Sequence, residues 1–368
     1  MYATKPLSLF KSHPEAASGA PPEGRNSGYL VVKGAADEET SCWGLFPDRR
    51  VRELPLPQDR VLKVRYTVSN GQTTSVQEEA VVFVPVPDQP LASNRYYAVI
   101  AKGKNWGLVR ACSREEDKVT CCFFRCIKDV APRPFDPADV YQQMEIVQRR
   151  RGWFTARAVA ADGFPSSLYR SKYWEVYASK TGKFDLGVGD AMGMDAALRS
   201  RQLADYAFPV AATAAAVGKW YSPFFLIKEA DVAPREQMER SAFYEVTLEL
   251  RWEPVHAYSG GGSKLASMRA YIGGCAEAEE DLNSRRHGDA YLWFKAAAAR
   301  QHLGVCKSVL ERMRWEESRE GWVDEEDAEK VTSGGSVLVE RFVVKRLDGS
   351  VVVAFDFLHL SKVRAKQL

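Results

Sequence analysis

The sequence lacks the features that mark membrane-spanning and secreted proteins. No apolar run reaches the roughly 20 residues that cross a bilayer. Lys, Pro and His interrupt the N-terminal stretch, where a signal peptide needs an apolar segment, and there is no Asn-x-Ser/Thr acceptor site. The 7 cysteines are odd in number and unevenly spaced, which disfavours a disulfide framework. We therefore expect a reduced protein of the cytoplasm, with the nucleus as a further location.

Motifs for catalysis and cofactor binding are missing as well. The 5 histidines are scattered, and none belongs to an H-E-x-x-H zinc motif or flanks a G-x-S-x-G nucleophile turn. The segment Gly187–Gly193 has glycines at G-x-G-x-x-x-G spacing, which is more typical of a turn into a helix than of a dinucleotide loop. The sequence identifies no catalytic residue, and we expect no cofactor and no metal. It favours a non-catalytic protein while leaving an enzyme open.

Strong charge of one sign is also absent. The net charge is +3 and the pI is about 8.4, which is too mild to indicate nucleic acid or an anionic membrane as the main partner. One basic run, Arg149–Arg151, precedes Trp153 and Phe154. It has two interpretations: a phosphate contact supported by aromatic stacking, or the cationic end of a helix. The helix end is favoured.

What is present predicts a large core built mainly from strands. The chain has 368 residues, of which 45% are hydrophobic and 27% charged. Strands do not alternate regularly with long helices, so the predicted class is α+β, mostly antiparallel β-sheets with a few amphipathic helices, in two lobes. The N-terminal β-rich lobe spans residues 1–210 and the C-terminal α+β lobe spans residues 211–368. The boundary falls near the alanine-rich stretch Ala211–Gly218.

Two segments carry the clearest strand signals. In Ser241–Trp252, every second residue is apolar and alternates with polar ones, which predicts one buried face and one solvated face; the apolar residues are Tyr244, Val246, Leu248, Leu250 and Trp252. Near the C-terminus, two apolar runs flank Asp348-Gly349, the dipeptide that most favours a tight β-hairpin.

Helix signals are fewer. One clear helix is predicted near 137–151, with Asp136 as its N-cap, Pro137 in its first turn and Gly152 as its stop. A second amphipathic helix is predicted after Gly304. Its apolar stripe comprises Val305, Val309 and either Met313 or Leu310. The first 25 or so residues are predicted to be irregular.

Four cysteines raise the question of a metal or redox site: Cys112, Cys121, Cys122 and Cys126. The spacing of Cys122 and Cys126 suits zinc, but no histidine lies nearby. On one strand, moreover, Cys121 and Cys122 would point to opposite faces. The favoured interpretation is that these cysteines fill a β core as small apolar residues. Redox and S-acylation roles stay open.

Several long segments together resemble a known family. In chain order they are PPEGRNSGYLVV, LASNRYY, TCCFFRCIKDVAPRPFDPADVYQQMEI, DGFPSSLYRSKYWEV, VGKWYSPFFLIKE, REQMERSAFYEVTLELRWEPV and VLERMRWEESREGW. They resemble the land-plant family catalogued as domain of unknown function 1262, whose members are often labelled insecticidal crystal toxin domain proteins. The resemblance implies an association with stress and defence responses. It supplies no catalytic or binding residues.

The leading functional hypothesis is therefore a non-catalytic binding protein that acts through a protein partner. The aromatic content of 11% offers anchors for such an interface. One alternative is an enzyme or small-ligand binder with a site between the lobes. Another is a carbohydrate- or lipid-binding β module that uses the aromatic residues of KWYSPFF, 219–225. The sequence does not determine the oligomeric state.

Overall fold

A computed structural model describes residues 1–34, 39–41, 46–121, 124–179, 185–204, 216–254, 268–281, 290–296, 301–319 and 335–365. Within these ranges the chain forms 23 strands and 5 short α-helices, so the fold is predominantly β. None of the helices described there has the length and apolar character that crossing a membrane requires.

The first thirteen strands are β1 (Tyr2–Pro6), β2 (Gly28–Val32), β3 (Glu39–Ser41), β4 (Phe46–Asp48), β5 (Arg50–Val51), β6 (Leu62–Ser69), β7 (Thr74–Pro85), β8 (Arg95–Ile100), β9 (Lys118–Cys121), β10 (Phe124–Ile127), β11 (Gln143–Arg150), β12 (Trp153–Ala158) and β13 (Glu175–Ala178).

The remaining strands are β14 (Gly193–Met194), β15 (Ala216–Pro223), β16 (Ile227–Glu229), β17 (Phe243–Pro254), β18 (Met268–Ile272), β19 (Ala276–Glu280), β20 (Tyr291–Ala296), β21 (His302–Cys306), β22 (Gly335–Arg346) and β23 (Val351–Ala365). The helices are α1 (Leu7–Ser12), α2 (Ser167–Arg170), α3 (Ala196–Ala204), α4 (Pro234–Arg240) and α5 (Lys307–Ser318).

Two large sheets organise the molecule. One has seven strands in the order β12-β11-β8-β7-β6-β13-β5, and every pairing in it is antiparallel. The other has twelve strands in the order β16-β21-β20-β19-β18-β23-β22-β17-β15-β1-β2, with β14 beside β15. In this second sheet only β1 and β2 pair in parallel among the described strands. The predicted antiparallel β architecture is confirmed.

Position 210 does not separate the two sheets, because β1 and β2 belong to the same sheet as strands of the C-terminal half.

The largest hydrophobic core is shared by the two sheets. Val84 on β7 and Val99 on β8 belong to the same cluster as Trp220 and Leu248 of the twelve-stranded sheet. Neighbouring positions on β7 and β8 point the other way and fill a second cluster around Trp174. The central strands of the seven-stranded sheet are therefore buried on both faces, as their continuous apolar runs require.

The strongest strand predictions are confirmed. Tyr244, Val246 and Leu248 on β17 are each 0% exposed, whereas Leu250, predicted on the same buried face, is only partly buried. The strand pairs with β22 from Tyr244 to Pro254, and β22 and β23 form the predicted hairpin. Thr247, expected on the solvated face, is instead buried at 5% exposure. The helix after Gly304 begins only at Lys307, because the preceding residues belong to β21.

The helix predicted near 137–151 is wrong. Residues 143–150 form β11, which pairs with β8 on one side and β12 on the other. Asp136 caps no helix; its Oδ1 accepts the Ala138 N–H at 3.0 Å in a local turn. Met144 and Ile146 are buried at two-residue spacing, so strand pairing outweighs the helical preference of the intervening polar residues.

The first 25 residues are not irregular either. Tyr2–Pro6 forms β1, and α1 follows directly. Tyr2 pairs with both Gly28 of β2 and Tyr221 of β15. β1 has only five residues, which is too few for an alternation of apolar and polar residues to be recognised, and its partner strands lie far along the chain. The segment was therefore mistaken for an irregular one.

Candidate functional site

The described part of the cysteine-rich stretch forms an exposed hairpin and not a core strand. β9 and β10 make a hairpin around Cys122 and Phe123, which lie outside the described residues. Cys126 is exposed, so the prediction that it fills a core is wrong, whereas Cys112 is buried. Burial, reinforced by the charge of Asp139, raises the pKa of the Cys112 thiol to about 12. In the described part of the chain, no three His, Cys, Asp or Glu side chains are placed to hold a metal ion.

The aromatic residues proposed for sugar or lipid stacking belong to the core. Trp220, Tyr221, Phe224 and Phe225 are at most 5% exposed. Phe225 stacks on Phe135, with ring centroids 4.2 Å apart. A ligand cannot reach these rings in the folded state, so they give no support to a carbohydrate or lipid site.

The structure instead brings a set of basic and aromatic side chains together where the two outermost strands of the seven-stranded sheet, β12 and β5, approach each other. They are Arg50, Arg150, Arg151, Trp153 and Tyr173, and we call them the basic–aromatic surface. Arg150 and Trp153 flank the turn between β11 and β12, with Arg151 within it. Arg50 begins the edge strand β5, and Tyr173 lies two residues before β13.

The turn at residues 151–152 is fixed by its glycine and by two backbone contacts. Gly152 has a φ of +76°, which favours glycine. Its N–H donates to the Arg52 carbonyl oxygen at 2.7 Å, and its own carbonyl accepts from Arg50 Nη2 at 3.0 Å. A bulge between Gln148 and Arg150 precedes the turn. The basic run therefore lies at a hairpin tip, and its interpretation as a helix end is wrong.

Cation–π contacts hold the guanidinium groups against the aromatic rings. The Arg150 guanidinium carbon lies 4.7 Å from the Trp153 ring centroid and 5.5 Å from that of Tyr173. Arg50 approaches Trp153 at 4.9 Å, and the two rings meet edge to face at 6.3 Å. Each exposed cation–π contact contributes about 0.5–1 kcal/mol. The rings therefore order the guanidinium groups while leaving N–H donors at their edges.

The carboxylates near this surface neutralise only part of its charge. Glu175 pairs with Arg50 at 2.6 Å, and Glu53 pairs with Arg151 at 3.1 Å. The second pair is solvent-exposed and therefore weak. Among the described residues, no carboxylate forms an ion pair with Arg150. Arg150 is thus the member best placed to meet an external anion.

Tyr173 has a backbone conformation that few large residues adopt. Its φ is +69°, and its side chain is 47% exposed. A bulky residue with positive φ stores roughly 1–3 kcal/mol of strain, which persists only where the surroundings enforce it. The next residue, Trp174, is fully buried and exchanges two backbone hydrogen bonds with Phe154, of 2.9 and 3.1 Å. The buried Trp174 therefore fixes the position of the chain, and this position holds the backbone of Tyr173 at a strained φ with its side chain directed towards solvent.

A shallow cleft adjoins the surface between α1, β5 and the hairpin tip. Its volume is about 60 Å³. Its charged lining comprises five basic and two acidic side chains: Lys11, Lys33, Arg50, Arg52, Arg151, Asp48 and Glu53. Sites for organic ligands usually measure about 300–1,000 Å³, so this cleft has room for one small anionic group and not for a cofactor.

The arrangement suits the binding of an anionic group. Its arginine, tryptophan and tyrosine side chains offer positive charge, N–H and O–H donors and aromatic faces. The sequence signals only the part of this surface at residues 149–153. Arg50 and Tyr173 were missed, because the sheet brings them in from positions about 100 residues before and 20 residues after the turn.

Comparison with known proteins gives limited matches. None of the curated proteins matches the chain. The solved structure described as "Crystal structure of Cry35Ab1" is 9% identical, with a TM-score of 0.43, and the match covers 84% of this chain and 90% of that one. Residues 23–123 match the family described as "Protein of unknown function (DUF1262)", which confirms the resemblance expected from the sequence motifs over that segment.

Proposed function

We propose that this protein is a non-catalytic binding protein that recognises an acidic segment of a protein partner through its basic–aromatic surface. The observation that carries the proposal is the exposed, strained Tyr173 beside an arginine without a carboxylate partner in the described chain. Strain of this kind is retained where the strained residue has a task, because selection for stability alone would remove it.

The chemistry of the surface favours a carboxylate-bearing partner. Arginine edges can bind a carboxylate through two parallel N–H donors, and ring-stacked guanidinium groups lose little freedom when they do so. Aromatic and arginine side chains are also the residues that contribute most to protein interfaces. Trp153 and Tyr173 would pack against the apolar parts of the same segment.

The cellular setting extends this proposal. The resemblance to a plant family implies a role in stress or defence, and we place the protein in the cytoplasm or nucleus of plant cells. Capture of partners from stressed leaf tissue with wild-type protein and with an Arg150→Glu variant tests this setting. Partners that bind wild-type protein and are lost with the variant would support it, whereas identical partner sets would contradict it.

A direct binding experiment tests the surface itself. The probe is a fluorescent peptide of alternating Glu and Tyr residues, titrated with protein at low and moderate salt. We expect Arg150→Glu to weaken binding at least about tenfold, because it replaces an attractive contact with a repulsive one. Added salt should weaken the wild-type interaction too.

The chain offers a matched control for net charge. Arg114 lies over the Tyr141 ring at 4.3 Å, is 46% exposed and belongs to a different loop. Arg114→Glu changes the total charge by the same amount as Arg150→Glu and also removes an arginine–tyrosine contact. Binding should survive in the Arg114 variant. Equal losses in both variants would show that total charge alone drives the interaction and would refute the proposed surface.

The cleft favours a second candidate, the binding of a small anion. Its basic lining and its volume of about 60 Å³ fit a single tetrahedral oxyanion. Calorimetric titration with inorganic phosphate provides the test, with an Arg151→Gln variant as comparison. Saturable binding that the variant weakens would support this candidate, and the absence of heat at millimolar phosphate would reject it.

A further inference from the structure

The hairpin of β6 and β7 extends beyond the sheet that contains it. Eight consecutive residue pairs join the two strands, from Leu62↔Val81 to Ser69↔Thr74, without a register shift. β13 covers β6 only as far as Arg65, and β8 covers β7 only from Val81 onward. From Thr67 to Gln77 every residue is exposed. Among the described strands, none pairs with either outer edge of this segment.

The outer edges present unused backbone hydrogen-bonding groups. In antiparallel pairs, alternate residues direct their N–H and C=O groups away from the partner strand. Two hydrogen bonds show which residues of this hairpin direct their backbone groups inward and which direct them outward. At the tip, the Asn70 N–H donates to the Thr73 carbonyl, so this pair faces inward. At the base, the Ala80 carbonyl accepts the N–H of Ala101, which lies outside the hairpin, so Ala80 faces outward. The backbone groups of Thr67 on β6 and of Thr74 and Val76 on β7 therefore point outward.

Within the described part of the chain, this hairpin has none of the common protections against edge pairing. Residues 66–77 read YTVSNGQTTSVQ, with no charge and no proline. Natural sheets block their edges with lysine, proline, bulges or a covering segment. Other edges here have such protection: β16 carries Lys228 and Glu229, and Gln58 covers β2 by bonding both backbone groups of Val31. The tip of the β6–β7 hairpin differs from these described edges in having no such protection.

Its composition favours pairing with a copy of itself. When two identical strands pair across a two-fold axis, each side chain lies opposite the same residue, or a nearby one, of the second copy. A charged edge would therefore repel its copy, whereas this uncharged edge does not. Threonine and valine are suited to strands, and opposite Thr–Thr and Thr–Ser pairs are favourable. At the base, Lys63 and Arg65 are balanced by Glu78 within the same hairpin.

We propose that two copies of this chain associate by antiparallel pairing of the outer edges of their β6–β7 hairpins. The interface is small, so the association is weak and reversible, with a dissociation constant roughly in the micromolar range. It is independent of the basic–aromatic surface and does not rest on the proposed function.

Sedimentation equilibrium over a wide concentration range tests the association. The apparent mass should rise from 41.2 kDa towards twice that value. Val68→Lys and Val76→Lys, one on each strand, place like charges near the two-fold axis. At least one of them should raise the dissociation constant at least about tenfold. Val119→Lys is the matched control, because Val119 and Val68 are both 45% exposed and Val119 lies on β9. It should associate like wild type.

Hydrogen exchange provides a second measurement that does not depend on variants. The amides of Thr74 and Val76, or that of Thr67, should exchange more slowly at high protein concentration than at low concentration. A mass of one chain at several hundred micromolar would overturn the proposal. Equal weakening of the association by all three lysine variants would also overturn it. A dimer whose hairpin amides exchange as fast as those of the monomer would do the same.

Discussion

Cys112 and Cys126 show at the residue scale how surroundings decide chemistry. Cys112 is buried with a pKa near 12, whereas Cys126 is exposed. At pH 8, iodoacetamide should modify Cys126 and spare Cys112 in native protein, because the reactive species is an accessible thiolate. Peptide mass spectrometry reads out the result. Native labelling of Cys112 as fast as Cys126 would contradict the buried assignment.

The raised pKa of Cys112 also predicts a pH dependence of stability. Its neutral thiol is the form that the fold favours, so the contribution is fully present below the ordinary pKa of 9.0. It is lost as pH rises from there through about 12. A Cys112→Ala variant should therefore lose less of its free energy of unfolding between pH 8 and pH 10.5 than wild type. Urea titrations at the two pH values measure the difference, and parallel losses would count against it.

Neighbouring residues on β17 should differ sharply in their energetic roles. Leu248 is 0% exposed within the shared core, whereas Glu249 makes only a 4.0 Å contact with Lys345. Leu248→Ala should lower the free energy of unfolding by about 2–5 kcal/mol because it leaves a cavity. Glu249→Ala should change it by no more than about 0.5 kcal/mol. Urea midpoints compare the two, and similar small shifts would refute the assigned burial.

The backbone strain at Tyr173 predicts a trade-off between the free energy of unfolding and the affinity for the acidic peptide. Asparagine tolerates positive φ better than tyrosine, so Tyr173→Asn should raise the free energy of unfolding by about 0.5–1 kcal/mol despite the lost cation–π contact. The same variant should bind the acidic peptide more weakly. Thermal unfolding and the peptide titration measure both quantities. A variant that is destabilised, or that binds as well as wild type, would remove the case for functional strain.

At the scale of elements, strands were predicted correctly from the sequence where one face is polar and the other apolar. The prediction failed where residues typical of helix caps precede a strand. β17 and the β22–β23 hairpin follow from alternation and from Asp348-Gly349. β11 was missed because Asp136 and Pro137 imitate a helix start, while the alternation of Met144 and Ile146 is short. Two of the five residues of the basic–aromatic surface, Arg50 and Tyr173, could not be predicted, because the tertiary pairing of β5 and β13 positions them.

The turn between β11 and β12 offers a paired test of its geometry. Gly152 and Gly71 both have positive φ, of +76° and +85°. A Cβ on Gly152 would lie 3.0 Å from Arg50 Nε, whereas one on Gly71 meets nothing within 4 Å. Both alanine variants should lose about 1 kcal/mol from backbone strain. Gly152→Ala should lose more and should weaken peptide binding, because Arg50 must move. Equal urea midpoints for the two variants would contradict the crowding.

The whole molecule is held together by a core that both large sheets share. Because Val84, Val99, Trp220 and Leu248 belong to one cluster, neither sheet can expose its inner face without exposing the other's. We therefore expect a single cooperative thermal transition in which calorimetric and van't Hoff enthalpies agree. Two separated transitions would favour the two-lobe organisation expected from the sequence.

The position of β1 has a consequence for how the protein is made. Residues 2–6 emerge from the ribosome well before their antiparallel neighbour β15, which begins at residue 216. At bacterial to eukaryotic elongation rates of about 5–20 residues per second, synthesis of the intervening chain takes on the order of 10–40 s. Throughout that interval Tyr2 and the apolar face of β2 lack their final cover. Nascent chains stalled before residue 216 should therefore recruit chaperones that chains released after residue 254 no longer need.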